Sequence, residues 1–375
     1  MAVIGYDWLL IDCGSSNETI LSDGITKWRT DQEFINTGKN IPLIPSQNFS
    51  SMNTLRFFPD GKKNCYKLPL SSADFKFLFR AGFFYGNYDG LSKPPSFKLE
   101  IDGNLWANVT TSMSLDEPVY SELIYMTKKK QTTVCLTRDS NDEVPFISSL
   151  EAKSMIEDMY RLMENNTALY LHSRINYGAN RSLEQLIGFY EECCNRIWKS
   201  KEMTEYLNLS RNFIPYGSSD EENYPPWIVM ATAIQAKNVS DSIYLSVNFS
   251  LQAAVEAYFV LYFMDPIYRF PSEETSKVEI YIDSQKMDAV DVPNWDNYEN
   301  NVHNVVSLYP VRVSGSANVT ISPANGSTMG PILNAMEVFY VIDAKLSKGG
   351  RLQGLSLAIS VTLLHLLGIL VIFLM

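Results

Sequence analysis

Histidine is nearly absent from this 375-residue chain: His172, His303 and His365 are the only three. None stands in an HxH or HExxH spacing, so the usual zinc-site arrangements are missing, and no metal or cofactor site is expected. There is no GxSxG elbow, no glycine-rich phosphate loop with its lysine, no HRD and no DFG, so serine-hydrolase and phosphoryl-transfer chemistry lack their parts. Long basic runs with interleaved aromatics are also missing. A net charge of −11 would repel phosphate backbones, which excludes nucleic acid as a partner. The excess carboxylates read as solvated surface. Paired-carboxylate glycoside hydrolysis leaves no linear signature, because folding alone brings the two acids together. The duplicated acids that invite this reading, Asp102 and Asp283, are better explained as turn residues. The expectation is a non-enzyme, with polysaccharide cleavage as the minor alternative.

Cysteine is scarce and odd in number: Cys13, Cys65, Cys135, Cys193 and Cys194. At least one thiol is therefore free or bonded outside the chain. Adjacent Cys193 and Cys194 read as one buried and one exposed thiol. The N-terminus lacks a basic start and carries Asp7 in its apolar run, so no signal peptide is visible. WLLIDCG reads instead as a buried strand opening a domain, and Met1 as internal to a longer precursor.

Only the C-terminus holds a long apolar run. Leu355 to Met375 would form a helix about 31 Å long, which matches a bilayer core. Three anchoring modes fit it. Ser347, Gly349 and Gly350 precede a short polar spacer, as in a glycolipid-anchor signal with Ser347 as the attachment candidate. A retained single span is the second. Lys345, Lys348 and Arg351 favour the third, a cytosol-facing tail anchor.

Ten Asn-x-Ser/Thr acceptors argue for the secretory route and so against that third mode: Asn17, Asn48, Asn108, Asn165, Asn180, Asn208, Asn238, Asn248, Asn318 and Asn325. Chance would give roughly four from the composition. Ile243, Leu245, Val247 and Phe249 alternate toward one strand face and leave Asn248 on the other. The expected location is the outer face of the plasma membrane.

Alternation dominates the body. Phe97, Leu99 and Ile101 face one way before an Asp102–Gly103 turn, and Val278, Ile280 and Ile282 repeat the scheme before a turn at Asp283. The offset is 181 residues, and at the same offset the apolar strand Phe75–Phe84 falls on the run around Tyr258–Met264. PFISSLE, from Pro145 to Glu151, recurs as PILNAME, from Pro331 to Glu337, at an offset of 186. Three matches in one order make a tandem duplication. The expected fold is all-β, with two tandem jelly-roll β-sandwich modules at 1–155 and 227–345 and a connection at 156–226. That connection carries a short helix, from the spacing of Leu183, Leu186, Ile187 and Tyr190. A polar spacer at 346–354 and the apolar helix at 355–375 follow.

IDCGSS (11–16), RFFPDGKKNCYKL (56–68), FLFRAGFFYGNYDG (77–90), PSFKLEIDGNLW (95–106), VCL (134–136), PFISSLE, NRIW (195–198) and PILNAME follow one another in order. Together they closely resemble the malectin-like ectodomain of plant leucine-rich-repeat receptor kinases, from about Leu10 to Val341. The resemblance implies tandem jelly rolls with a cleft between them, extracellular display, and recognition of carbohydrate or a secreted peptide. The family continues into leucine-rich repeats, a transmembrane helix and a kinase, whereas this chain runs straight to its apolar tail. The region before NRIW also departs: GFYEECC replaces the family's Tyr- and Asp-rich segment.

The reading is a receptor-like or co-receptor recognition module without its own kinase. Its partners are a cell-wall carbohydrate or secreted peptide, and receptor kinases of the same family. A structural or decoy partner of such receptors is the alternative. The candidate contacts are Tyr85, Tyr88 and Asp89 in the YGNYDG loop, with Trp106 nearby, because aromatic faces stack on pyranose rings and a carboxylate accepts paired hydroxyls. The competing reading is that these side chains pack the sandwich edge. Arg80, set in an apolar strand opposite Phe77, Phe79 and Ala81, requires a buried carboxylate partner.

Overall fold

The computed structural model describes residues 7–20, 26–43, 52–113, 118–140, 142–180, 194–211, 222–249, 253–267, 274–293 and 303–343. The helix expected around 183–190, Cys193, Asn48, Ser347 and the 355–375 run lie outside them. Among the described residues no helix is long and apolar enough to cross a membrane.

The chain is almost entirely β. One sheet of eleven strands carries the molecule. Nine of its strands matter here: β1 (Trp8–Asp12), β2 (Lys76–Phe83), β3 (Val119–Met126), β4 (Ser149–Ser154), β5 (Thr167–Tyr177), β6 (Lys199–Lys201), β7 (Val255–Phe263), β8 (Asn304–Val313) and β9 (Ala335–Asp343). Their order across the sheet is β1-β4-β2-β3-β5-β9-β7-β8, with β6 pairing beside β5. The first four strands and the last four therefore repeat one arrangement, and antiparallel pairing of β3 with β5 joins the two sets edge to edge.

The flanking sheets repeat as well. Lys63–Pro69, Gln131–Arg138, Ser96–Ile101 and Asn104–Thr110 form a four-stranded sheet in that order, and Ile243–Asn248, Ser316–Pro323, Ser276–Ile282 and Gln285–Val292 form its counterpart. The matching hairpins turn at Asp102 (φ 46°)–Gly103 (φ 84°) and at Asp283 (φ 48°)–Ser284 (φ 67°), the left-handed pair that suits a two-residue connection. The Asp102 and Asp283 carboxylates accept the Thr133 N–H at 2.7 Å and the Asn318 N–H at 2.9 Å. Both are turn residues, on hairpins of two different sheets.

Two cores sandwich the large sheet. Phe77, Phe79, Ala81 and Phe83 of β2 and Ala257, Phe259, Leu261 and Phe263 of β7 enter the core shared with the flanking sheets. The alternate residues Leu78, Tyr258, Val260 and Tyr262 enter a second core on the opposite face. That second core is closed by Met155, Met159, Tyr160, Cys194, Trp198, Val229 and Met230. Strands buried on both faces read as continuous apolar runs, which explains FKFLFRAGFF and AYFVLYFM.

The segment 156–226, read from sequence as a connection, contains β5, the strand that joins both repeats. Its sequence TALYLHSRINY is buried at both ends on both faces, and its ladder with β9 is broken by an irregularity between Leu171 and Ser173. The period-2 signal is lost for both reasons. A disulfide joins Cys65 to Cys135 across two neighbouring strands, while Cys13 and Cys194 are both buried.

Candidate functional site: a charged seam between the repeats

Arg80 is fully buried, as is the carboxylate pair its position demands. Its Nη2 and Nε donate to Glu122 Oε2 at 2.8 and 3.1 Å, Nη1 donates to Glu151 Oε2 at 3.2 Å, and Nη2 also donates to the Asn195 carbonyl. Glu122 in turn meets Arg174 Nη2 at 2.7 Å, and Arg174 Nε donates to Glu337. Glu151, Arg80, Glu122, Arg174 and Glu337 lie on β4, β2, β3, β5 and β9, five neighbouring strands, so charge alternates in sign across the seam. Glu151–Arg80, Arg80–Glu122 and Arg174–Glu337 are direct ladder partners.

The NRIW segment clips this row from outside the sheet. Asn195 Nδ2 donates to Glu151 Oε2 at 2.8 Å, and Arg196 Nη1 lies 3.8 Å from Glu337 Oε2. The phenols of Tyr262 and Tyr160 donate to Glu337 at 2.7 and 2.9 Å. Burial by itself raises the Glu122 carboxyl, but the guanidiniums of Arg174 and Arg80 overcome it and hold the group below its ordinary range. For Glu151 the balance goes the other way: burial leads and leaves it raised, against the pull of Arg80.

Beside this row the sheet opens. β3 pairs with β5 only over Leu123–Tyr125 and Ala168–Tyr170. Beyond that point the strands part, and β6 takes up pairing with β5 from Ile175. The gap is a cleft of about 430 Å³ whose floor is Arg80, Glu122 and Arg174, whose β5 wall runs from Leu171, and whose rim carries Lys199 and Lys201. Arg174 is 2% exposed; its Nη1 has no hydrogen-bond partner, and its Nη2 has only the ionic contact with Glu122. His172 stacks on Phe249 at 5.0 Å, and burial pushes its pKa down to about 4, so it is neutral at physiological pH.

The sequence-predicted loop residues fall elsewhere. Tyr85, Tyr88 and Asp89 come together, but mainly to hold one another. Tyr85 is buried, donates to Asp89 Oδ1 at 2.5 Å and accepts the Lys93 N–H at 3.3 Å. Burial and that bond to Asp89 push its phenol up to about 12. Tyr88 is half-buried against Phe57 and Phe146, at ring distances of 5.4 and 5.5 Å, and Asp89 is exposed. Trp106 is placed apart, 1% exposed and edge-on to Phe79 in the sandwich core. Of the glycosylation acceptors, Asn17, Asn165, Asn180, Asn208, Asn238, Asn248, Asn318 and Asn325 are exposed and Asn108 is half-buried.

Glu122, Arg174, Arg196 and Glu337 were not singled out by sequence. A signal for Glu337 was present, since the same Glu closes both PFISSLE and PILNAME.

Fold and seam together define an all-β module of two repeats joined edge to edge. The chain belongs to the malectin-like domain family, whose sequence profile matches residues 11–341. It is 29% identical over 343 residues to an uncharacterized protein of Arabidopsis thaliana, covering 91% of this chain and 65% of the relative. It is 28% identical over 344 residues to a leucine-rich repeat receptor-like serine/threonine-protein kinase of the same plant, covering 89% of this chain but 38% of the kinase. The chain thus spans less than two thirds of these relatives. Among solved structures, the ANX2 ectodomain of Arabidopsis thaliana matches with a TM-score of 0.69 at 15% identity, over 89% of this chain and 96% of that one. A structure of the plant peptide RALF23 in complex with FER and LLG2 matches with a TM-score of 0.67 at 15% identity, over 91% and 96%. These likenesses establish the fold, which is that of the matched ectodomains.

Proposed function

We propose that the chain is a membrane-held extracellular recognition module, built of two tandem jelly-roll units, that binds a secreted peptide or a cell-wall carbohydrate beside receptor kinases of its own family. The observation that carries this reading is the cleft at the seam, where the two repeats part over a buried, incompletely satisfied guanidinium. A site of that kind favours a ligand able to meet a fixed polar group at the bottom of a partly apolar pocket. The matched region carries no kinase signature, so the role of these residues is contact. Glycans on the exposed acceptors and an anchor in the 355–375 run complete the reading. In the YGNYDG loop, half-buried Tyr88 and exposed Asp89 form a second contact point, with Tyr85 holding Asp89 in place.

The test is to display the secreted chain on combined peptide and glycan arrays and to treat intact cells with a phosphatidylinositol-specific phospholipase. Saturable binding to at least one wall-derived or secreted ligand, with surface release, is expected. Failure to bind any ligand of either class from a correctly folded, secreted chain would overturn the recognition reading. Retention on the cells would replace the lipid anchor with a protein span.

A further inference from the structure

The seam cleft has a chemical preference that the recognition reading, on which this inference rests, does not specify. Arg174 is a buried cation with one nitrogen unpartnered, and such a group is costly unless something completes its hydrogen bonds. Lys199 and Lys201 stand exposed at the rim and form no ion pair among the described residues. The floor is matched in pairs, Arg80 with Glu122 and Glu151 and Arg174 with Glu122 and Glu337, so the added charge comes from the rim. The cleft therefore presents a local excess of positive charge in a chain whose net charge is −11. His172 adds none, being neutral.

The walls decide the kind of anion. On the β5 side, Leu171–Arg174 lie between the end of the β3 ladder and the start of the β6 ladder. These four residues make an edge about 13 Å long, and an interrupted ladder is a template for an added strand. A sugar has no repeating donor–acceptor backbone to match it.

We propose that the cleft takes a short, extended, acidic peptide segment, its main chain against the Leu171–Arg174 edge, one carboxylate on Arg174, and Lys199 and Lys201 flanking the entrance.

The probes are acetyl-Val-Thr-Asp-Thr-Val-amide, its Asn counterpart and a galacturonate trimer, each titrated into the full secreted chain. Affinity and amide hydrogen exchange across 171–174 are both read. The Asp peptide is expected to bind and to slow exchange at 171–174, with the Asn peptide about tenfold weaker, the loss expected for one charge-assisted contact. Because Arg174 substitutions disturb the core, the test variant is the rim double reversal Lys199→Glu with Lys201→Glu. It should weaken the Asp peptide by about tenfold or more and leave the Asn peptide unchanged. Equal binding of the two peptides, binding of neither, unprotected 171–174 amides, or protection there by the galacturonate trimer alone would each overturn the proposal. Array binding that survives the rim reversal would leave the recognition reading standing while removing this cleft as its site.

Discussion

Replacing Glu337 by leucine tests whether the buried row holds the repeats together. The side chain is fully buried and satisfies four groups: Arg174 Nε, Arg196 at 3.8 Å, and the phenols of Tyr160 and Tyr262 at 2.9 and 2.7 Å. Leucine fills the space but takes one carboxylate from two guanidiniums, leaving Arg174 with Glu122 and Arg196 with the Tyr224 carbonyl, and breaking a buried pair by removing one partner costs about 3–5 kcal/mol. The orphaned phenols add to that, so about 4 kcal/mol is a lower-middle figure. With a urea slope near the upper end for small domains, about 3 kcal/mol per molar, the unfolding midpoint should fall by about 1 M or more. Removing Arg174 as well should restore part of the loss, because the charge that Glu337 leaves behind is gone. The double-mutant cycle with Arg174→Met and Glu337→Met should give a coupling of about 1–3 kcal/mol. Glu100→Gln, which breaks the exposed pair with Lys63, is the control and should cost under about 1 kcal/mol. A Glu337→Leu protein within about 1 kcal/mol of wild type would refute the idea that this carboxylate is structurally committed.

Three other outcomes are expected. Burial pushes the Asp12 carboxyl from 3.8 up to about 6, partly opposed by the Thr54 hydroxyl at 2.8 Å. The fold therefore favours the protonated acid, and this contribution is complete below pH 4 and lost as pH rises through 6. Asp12→Asn should accordingly be more stable than wild type at pH 7, by up to about 3 kcal/mol, with the gap closing at pH 4; a pH-independent gap in denaturation curves would refute it. Reduction of the Cys65–Cys135 bond, which spans a sequence separation of 70, should lower stability by about 4 kcal/mol on a chain-entropy estimate, and unchanged melting in reductant would contradict that. Glycopeptide mapping of secreted protein should find Asn248 and Asn318 occupied, since both point outward from neighbouring strands. Asn208 should be bare, because its amide is already bonded to the Met203 carbonyl at 3.1 Å and N–H at 3.0 Å; full occupancy at Asn208 would sink that assignment.

Much of the fold was legible because local rules and global pattern agree. Period-2 alternation set the Ser96–Ile101 and Ser276–Ile282 strands, Asp–Gly and Asp–Ser set their turns, and three matches in one order, at offsets of 181 and 186, exposed the duplication. Arg80 was legible too, because an arginine in an apolar strand admits few explanations. β5 was not, since a strand buried on both faces and broken by an irregularity has no clean period. The cleft was equally hidden. Glu122 and Arg174 are ordinary charged residues in sequence, and what makes them a site is the parting of β3 from β5, a long-range event. The YGNYDG loop shows the reverse problem: a composition suited to sugar contact also suits a loop that closes on itself, and burial decides how each side chain is used.

The two repeats differ in one respect that explains why the site lies at their junction. In the first, the duplicated glutamate Glu151 faces Arg80 across the β4–β2 ladder. In the second, its counterpart Glu337 faces Val260 across the β9–β7 ladder and turns instead to Arg174 on β5. The cation partner thus sits on β2 in the first repeat and on β5 in the second, which puts each arginine on the seam side of its glutamate. Both Arg80 and Arg174 are thereby drawn toward Glu122, and charge collects at the seam and not in either repeat. The backbone there is joined by only three residue pairs, so past Leu123 the repeats are held by Glu122–Arg174 contact in place of a ladder. Ionic contacts tolerate small changes of strand separation better than a ladder of short, directional hydrogen bonds. A change in strand separation at this point therefore costs less than unzipping a sheet would.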